Sequence, residues 1–374
     1  EQDNRRYAKF ARLPCLEPSD SQEAKDLVAA ALDLSEQFDT PVFLRLTTRI
    51  CHSSTPVELG NEAQQADARD KFPRNPTKYV MVPANARQRH PVIEDRIQAL
   101  AEFAETFPFN RVEWPEDPVE GERLGIVTCG VAFQYVKEVF PSAAVLRLGM
   151  TYPLPRRLVE DFAARVDRLL VIEELDPFLE EEIKLMGIAC EGKSIFPSCG
   201  EFDPRVLRES AIEAGLVPGE ARVPVAMEGL ERPPIPPRPP VLCPGCPHRT
   251  VFHALNKRRV PVAGDIGCYT LGLLPPLAAI HTCGCMGAGI GVAHGAAQAG
   301  IGERMVAVIG DSTFFHTGMP ALANVAYNRS NVVTIILDNR ITGMTGHQHN
   351  PGTGYTLQMQ ETPPLELEPL VRAL

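Results

Sequence analysis

Two short apolar runs in this chain end in residues able to hold a metal ion. Val306-Ala307-Val308-Ile309 leads into Gly310-Asp311-Ser312, and Val332 to Leu337 leads into Asp338-Asn339 after an intervening 25 residues, 313–337. Each run has the length and β-branched composition of a buried strand. In an open parallel sheet such strands deliver their C-terminal ends to the ligand crevice. Asp311 offers a hard carboxylate oxygen and Asn339 a neutral amide oxygen, a pair suited to an octahedral Mg²⁺ that also takes phosphate oxygens. The ion would neutralise a phosphate chain that neither side chain could neutralise alone. Gly310 is expected to let the backbone approach a phosphate without a Cβ in the way. A helix from about Met319 to Asn328 returns the chain so that the two strand ends can be neighbours.

A second group of reactive types lies nearby. Of the ten cysteines, five are Cys243, Cys246, Cys268, Cys283 and Cys285. The two-residue gap in Cys243-Pro244-Gly245-Cys246 lets both thiolates reach one metal or cluster. A 4Fe–4S cluster on Cys243, Cys246 and Cys268, with Cys283, Cys285 or a further cysteine as fourth ligand, is one reading. A zinc site and plain structural thiols are the others. Haem attachment is excluded because Pro247 separates Cys246 from His248, and a thioredoxin-like pair lacks its preceding strand. Thr282-Cys283-Gly284-Cys285-Met286-Gly287-Ala288-Gly289-Ile290-Gly291 opens a small-residue helix, Val292 to Ala299. Its composition suits close backbone packing, or a cofactor pressed against a helix N-terminus. His316 and His347 are candidate catalytic residues, able to orient a carboxylate or shuttle a proton, and His349 is a weaker one. The alternative for each is an ordinary surface or core histidine.

These residues need a frame. Ser19-Asp20-Ser21 can cap a helix from Gln22 to Phe38, and Val42 to Thr48 reads as a strand. Residues 61–115 are polar, basic and proline-interrupted, a connector around one helix, Val92 to Phe107. From 122 to 216 strand and helix alternate: strand Leu124–Thr128, helix Val131–Val139, strand Ala144–Leu148, a helix near Arg157–Val166, strand Leu169–Ile172, helix Phe178–Met186. That order predicts a parallel, doubly wound α/β domain. Pro233 to Pro240 is a stiff proline-rich segment, read as a linker rather than an SH3-type ligand, and a second α/β domain follows from Val241.

Composition narrows the partners. The net charge of −10 gives no global attraction for nucleic acid or anionic lipid. No apolar run approaches the roughly 20 residues of a membrane span. Without a secretion signal, ten cysteines point to reduced or metal-bound thiols and a cytoplasmic setting. The chain starts at Glu1 without Met and stops at Leu374 inside a helical run, Leu365 to Arg372. Both ends therefore read as cut, the mark of a fragment or a shortened relative.

The pattern Gly310-Asp311-Ser312, 25 residues, Asp338-Asn339 resembles the signature of thiamine-diphosphate enzymes. In that family the carbonyl two residues past the Asn is the third protein ligand of Mg²⁺, here that of Ile341. The resemblance implies cofactor contacts at Gly267, Cys268, Cys285, Gly287, Gly310, Asp311, Ser312, Thr313, Asn339 and Ile341. A longer series of motifs is more specific: Glu17-Pro18-Ser19-Asp20-Ser21, Tyr79 to Arg87, Leu148-Gly149-Met150-Thr151-Tyr152-Pro153, Glu173-Glu174-Leu175-Asp176-Pro177, Cys243 to Arg249, Gly264 to Gly272, Cys285 to Ala288, Gly310 to Gly318 and Met344-Thr345-Gly346-His347-Gln348. Taken together they resemble the large (alpha) subunit of indolepyruvate:ferredoxin oxidoreductase over nearly the whole chain.

The resemblance implies tandem domains of the thiamine-diphosphate-enzyme type: the end of a pyrimidine-binding domain over 1–60, a connector over 61–121, a transketolase-C-terminal-like domain over 122–225, a linker over 226–240 and an incomplete diphosphate-binding domain over 241–374. It implies oxidative decarboxylation of aryl pyruvates to aryl-acetyl-coenzyme A, with electrons passed to ferredoxin and a small (beta) subunit as partner in a homo- or hetero-oligomer. The family's activating glutamate and its Cys-x-x-Cys-rich C-terminal segment are expected to lie outside this stretch of sequence, so this chain alone is expected to be inactive. Alternatives are a non-redox thiamine-diphosphate enzyme and a catalytically incomplete cofactor- or metal-binding module.

Overall fold

The computed structural model describes residues 3–60, 74–115, 122–219, 236 and 238–374. The chain divides into two compact units, Glu1–Glu228 and Gly229–Leu374. The division falls inside the linker expected over 226–240, of which 226–235 and 237 lie outside the described residues. The segments expected as 1–60, 61–121 and 122–225 all belong to the first unit. Among the described residues no helix is long and apolar enough to cross a membrane.

In the first unit the strands are β1 (Cys15–Leu16), β2 (Phe43–Leu44), β3 (Arg111–Glu113), β4 (Leu124–Cys129), β5 (Ala144–Leu148), β6 (Met150–Tyr152) and β7 (Arg168–Ile172). They form two sheets, ordered β2-β1-β6 and β3-β5-β4-β7. β4 pairs in parallel with both β5 and β7, while β3 is an antiparallel edge. Alternate side chains point to opposite faces of a strand, and both faces are covered here. Ile126, Val145, Leu170 and Ile172 pack with helices Ala132–Val139 and Pro204–Glu213. Val127, Leu146, Leu148 and Val171 pack with helices Arg156–Ala163 and Phe178–Leu185. Fully burying one such aliphatic or aromatic side chain contributes roughly 1.5–3 kcal/mol. This is the α/β arrangement that the alternation over 122–216 predicts.

Two elements differ from their sequence pattern. The strand expected over 42–48 is only Phe43–Leu44; Arg45 leaves it to donate to Asn4 and Glu17, and helix Thr48–His52 follows. The helix expected over 92–107 runs instead from Pro83 to Ala104. Pro83 occupies the first turn, where the missing N–H costs nothing, and Pro91 is carried inside the helix.

The order β5-β4-β7 places the switch-point crevice of the sheet, the usual ligand position, beyond the C-terminal ends of β4 and β7. A side chain from the start of the chain fills it. Arg5 is fully buried. Its Nη1 donates to Glu173 Oε2 at 2.6 Å and to Cys129 Sγ at 3.6 Å, its Nη2 to Glu174 O at 3.0 Å, and its Nε to Asp3 Oδ1 at 2.9 Å. Glu173 follows β7 directly and Cys129 ends β4, so one guanidinium stitches both strand ends to the N-terminal segment.

The cysteines of this unit separate by environment. Cys15 and Cys129 are buried, whereas Cys51 and Cys199 are exposed. Burial, reinforced by Glu17, pushes the Cys15 thiol up to about 12. Because the thiolate is the nucleophile, iodoacetamide at pH 8 should label Cys51 and Cys199 in the native protein and reach Cys15 and Cys129 only after denaturation. Peptide mapping by mass spectrometry checks this, and early labelling of Cys15 would contradict the packing.

The second unit holds a parallel sheet of β8 (Val262–Ala263), β9 (Val306–Gly310) and β10 (Val333–Leu337), ordered β10-β9-β8. Val306 and Val308 pack with Phe252, Leu255 and Tyr269 on one face. Ala307 and Ile309 pack with Ile290, Ala293, Phe314 and Val325 on the other. Every residue of β9 is buried, which is why the run 306–310 is continuously apolar rather than alternating.

Candidate functional site

The register of β9 with β10 sets the site. Leu337 lies opposite Gly310, so Asp311 and Asp338-Asn339 leave the sheet side by side at the C-terminal edge. Asp311 opens the helical segment that continues through a wide turn at Phe314–Gly318 into helix Met319–Tyr327. The loop after β10 is tied back onto that helix start. Thr342 and Ser312 share a hydroxyl hydrogen bond of 2.8 Å, and Asn350 Nδ2 donates to Asp311 Oδ2 at 3.0 Å.

Between them lies a cavity of about 90 Å³. Gly267, Cys268, Gly310, Asp311, Ser312, Thr313, Asn339 and Ile341 all line it, as do His248, Tyr269 and Thr342. Asp311 is 3% exposed. Burial raises its pKa, the Asn350 amide and the Ser312 N–H oppose that, and Asp338 adds to it. Among the described residues no Lys or Arg forms an ion pair with Asp311. A buried carboxylate in that position is costly without a compensating positive charge, and a divalent cation is the group that would supply it. Asn339 is exposed, and its Oδ1 accepts the N–H of Ile341 at 3.2 Å.

The other expected contacts are placed differently. Cys285 and Gly287 do not line the cavity, although Met286 between them does. The helix that follows runs Ala288–Gln298, one turn earlier than expected, and a side chain caps its N-terminus. Asp265, fully buried, accepts the N–H of Gly287 at 2.8 Å and of Gly289 at 3.1 Å. A Cβ on Gly289 would lie 2.7 Å from the Gly264 carbonyl oxygen, so the small residues serve close packing. His316 and His347 are exposed and outside the cavity lining. His349 packs against Tyr355 with ring centroids 5.1 Å apart and the rings tilted by 45°, and it shares a hydrogen bond with Thr353.

Among the described residues no three His, Cys, Asp or Glu side chains are grouped so as to hold a metal ion. Cys243 is exposed, whereas Cys246 and Cys268 pack against the apolar cluster of Phe252, Leu255 and Tyr269. Cys243–Cys246 is instead a turn, closed by Cys246 N–H to Cys243 O at 3.1 Å, with Gly245 at φ +77°.

Gly310 has a packing reason besides the expected one. A Cβ there would lie 2.6 Å from Tyr269 Cε1, and that ring is buried with its hydroxyl donating to Ile266 O at 2.9 Å. Gly310→Ala should therefore destabilise by about 1–3 kcal/mol through overpacking. Denaturant melts followed by far-UV circular dichroism would measure it. Tyr269→Leu in the same chain should recover part of the loss; no recovery would mean the clash is not with this ring. Three residues of the site were quoted in sequence motifs or lay beside them without a role: His248, Tyr269 and Asn350. Only the contacts across the cavity identify them.

A model of the family described as thiamine pyrophosphate enzyme, C-terminal TPP binding domain, matches residues 265–374. The chain is 42% identical over 393 residues to the indolepyruvate oxidoreductase subunit IorA of Pyrococcus horikoshii, which covers 95% of this chain and 59% of that protein. It is 39% identical over 388 residues to the subunit of the same name from Archaeoglobus fulgidus, covering 100% of this chain and 61% of that one. The chain thus spans about three fifths of the length of the curated relatives it matches.

Proposed function

The chain belongs to the family of the IorA subunits of indolepyruvate oxidoreductase, and from that premise we propose that it supplies the diphosphate-gripping part of a thiamine-diphosphate-dependent enzyme that oxidatively decarboxylates aryl pyruvates. The observation that carries the reading is the parallel register that brings Asp311, Asn339 and Ile341 to one cavity. Asp311 and Asn339 side-chain oxygens and the Ile341 carbonyl would hold Mg²⁺, all of them oxygen donors as that ion requires. Ser312, Thr313 and Gly267 would face the phosphate groups from the cavity wall. Thiamine diphosphate, when bound, supplies an electron sink for cleaving the bond beside a 2-oxo group.

The residues of this chain position and shield. Asn350 holds one oxygen of Asp311, and the Ser312–Thr342 hydrogen bond clamps the loop 338–350 over the strand ends. That preorganisation lowers the cost of binding. Coenzyme A as acceptor of the acyl group, ferredoxin as acceptor of the electrons and a small beta subunit are part of the proposal, as the sequence resemblance implies. A cluster on Cys243, Cys246 and Cys268 is not, since those thiols are not grouped.

The test uses the complete gene product, with any small subunit that co-purifies. Calorimetry should detect saturable thiamine diphosphate binding that requires Mg²⁺. Dye reduction should require indolepyruvate, coenzyme A and the cofactor together. Binding without a need for Mg²⁺ would overturn the metal assignment. Absence of 2-oxo-acid-dependent reduction in a cofactor-loaded preparation would overturn the reaction.

A further inference from the structure

His248 is the first residue of the eleven-residue helix His248–Arg258 and is 6% exposed. It lines the same cavity as Asp311, its ring edge-on to Tyr269 with centroids 6.4 Å apart. Among the described residues its ring nitrogens have no hydrogen-bond partner. The hydroxyls around it are already committed. Tyr269 donates to Ile266 O at 2.9 Å, Thr313 to the same oxygen at 3.4 Å, Ser312 and Thr342 bond each other at 2.8 Å, and Thr345 bonds Gln348 at 2.7 Å. The ring nitrogens are not among the fully enclosed unpartnered polar atoms of the described residues, so the ring, though buried, leaves them open to the cavity it lines, where a ligand that enters can bond them.

The lining indicates the chemistry of that ligand. The described lining residues include no Lys or Arg, while Asp311 supplies negative charge. An anionic ligand must then be neutralised by a bound cation and oriented by uncharged donors. Imidazole nitrogen is a poor match for Mg²⁺, which takes oxygen, but a neutral imidazole carries one N–H that a phosphate oxygen accepts. Burial disfavours the charged form of this ring, with Asp311 pulling the other way.

We propose that His248 donates a hydrogen bond to a phosphate oxygen of the bound diphosphate, acting as a binding residue of the site. The proposal rests on the diphosphate reading above, and the experiment separates the two. The complete gene product is titrated calorimetrically with thiamine diphosphate and, separately, with unphosphorylated thiamine, both with Mg²⁺, as wild type, His248→Phe, His248→Gln and Asp311→Asn. His248→Phe keeps a planar ring against Tyr269 and loses the donor. It should weaken diphosphate binding about 10- to 100-fold, the effect of one hydrogen bond to a charged group, and leave thiamine binding unchanged. His248→Gln, which retains an N–H, should recover part of the loss.

Wild-type-like affinity in His248→Phe, with binding lost in Asp311→Asn, would overturn the His248 proposal alone. Equal losses for thiamine and thiamine diphosphate would also overturn it, since they would indicate a packing role. No binding by the wild type would overturn the underlying reading. Should His248→Phe fail to fold, ¹⁵N-histidine spectra of the wild type decide. The resonance absent from His248→Gln should move on adding thiamine diphosphate, and a stationary one would overturn the proposal.

Discussion

Replacing Asp311 by asparagine should weaken Mg²⁺-dependent binding of thiamine diphosphate by about 30-fold or more, the cost of removing one partner of a buried, hydrogen-bonded charge pair. The substitution keeps the shape and can still accept the Asn350 amide, now at 3.0 Å, so the loss reports the charge and not the packing. Asp311→Ala should lose binding as well, and in addition lower stability, because the buried Asn350 amide then has no acceptor there. Calorimetry on the complete gene product measures the affinity, and a thermal melt separates the two effects. Unchanged affinity in Asp311→Asn would remove Asp311 from the metal site. The effect is expected to be large because Asp311 is the buried acid of the cavity, while Asn339 is exposed and already bonded to Ile341 N–H.

The second large effect concerns stability of the first unit. Arg5→Met should destabilise it by about 3–5 kcal/mol, the typical result of leaving a buried charge without its partner. Burial pushes the Asp3 carboxyl up, but the hydrogen bonds and charge of Arg5, with Arg45, outweigh it and hold Asp3 below its ordinary value. Glu173 stays raised: burial dominates, and Arg5, the N–H groups of Leu179 and Glu180, and Lys193 offset it in part. Without Arg5 the Glu173 pKa rises further. A carboxyl whose folded pKa exceeds its unfolded value contributes stability below the unfolded pKa and loses it as pH rises through the folded one. The deficit of Arg5→Met should therefore be larger at pH 8 than at pH 5. Adding Glu173→Gln should restore part of the stability at pH 8.

Trp114 is the single tryptophan and lies in this unit, packed on Phe162 with the Arg165 guanidinium 4.0 Å from its ring centre. Its fluorescence in a urea titration reports the unit directly. A midpoint unmoved by Arg5→Met would show that the buried network contributes no net stability.

Much of this frame was legible from local pattern. Strands β4, β5, β7, β9 and β10 lie within about a residue of their apolar runs, because a buried parallel strand needs a short, continuous, β-branched stretch. The Asp20 cap is likewise local: its side chain accepts the N–H of Glu23, three residues on. β1, β3, β6 and β8 have two or three residues each, too few to carry a period, and exist because neighbouring chain pairs with them. The cysteines were less legible for a related reason. Spacing of Cys243 and Cys246 permits a shared ligand, but whether Cys268 joins them depends on how Phe252, Leu255 and Tyr269 pack.

By itself the sequence determined that Asp311 and Asn339 terminate two strands and that both strands run in one direction, since those properties are encoded within a few residues and in the length of the connection. Tertiary structure alone decided what surrounds them. Asn350 reaches Asp311 across 39 positions, and Arg5 reaches Glu173 across 168. It also decided that Asp265 accepts the N–H groups of Gly287 and Gly289 at the helix start read as suiting close packing or a cofactor, and that His248 lines the cavity without a hydrogen-bond partner among the described residues. Contacts over such separations follow from packing of the whole unit, which no local period encodes.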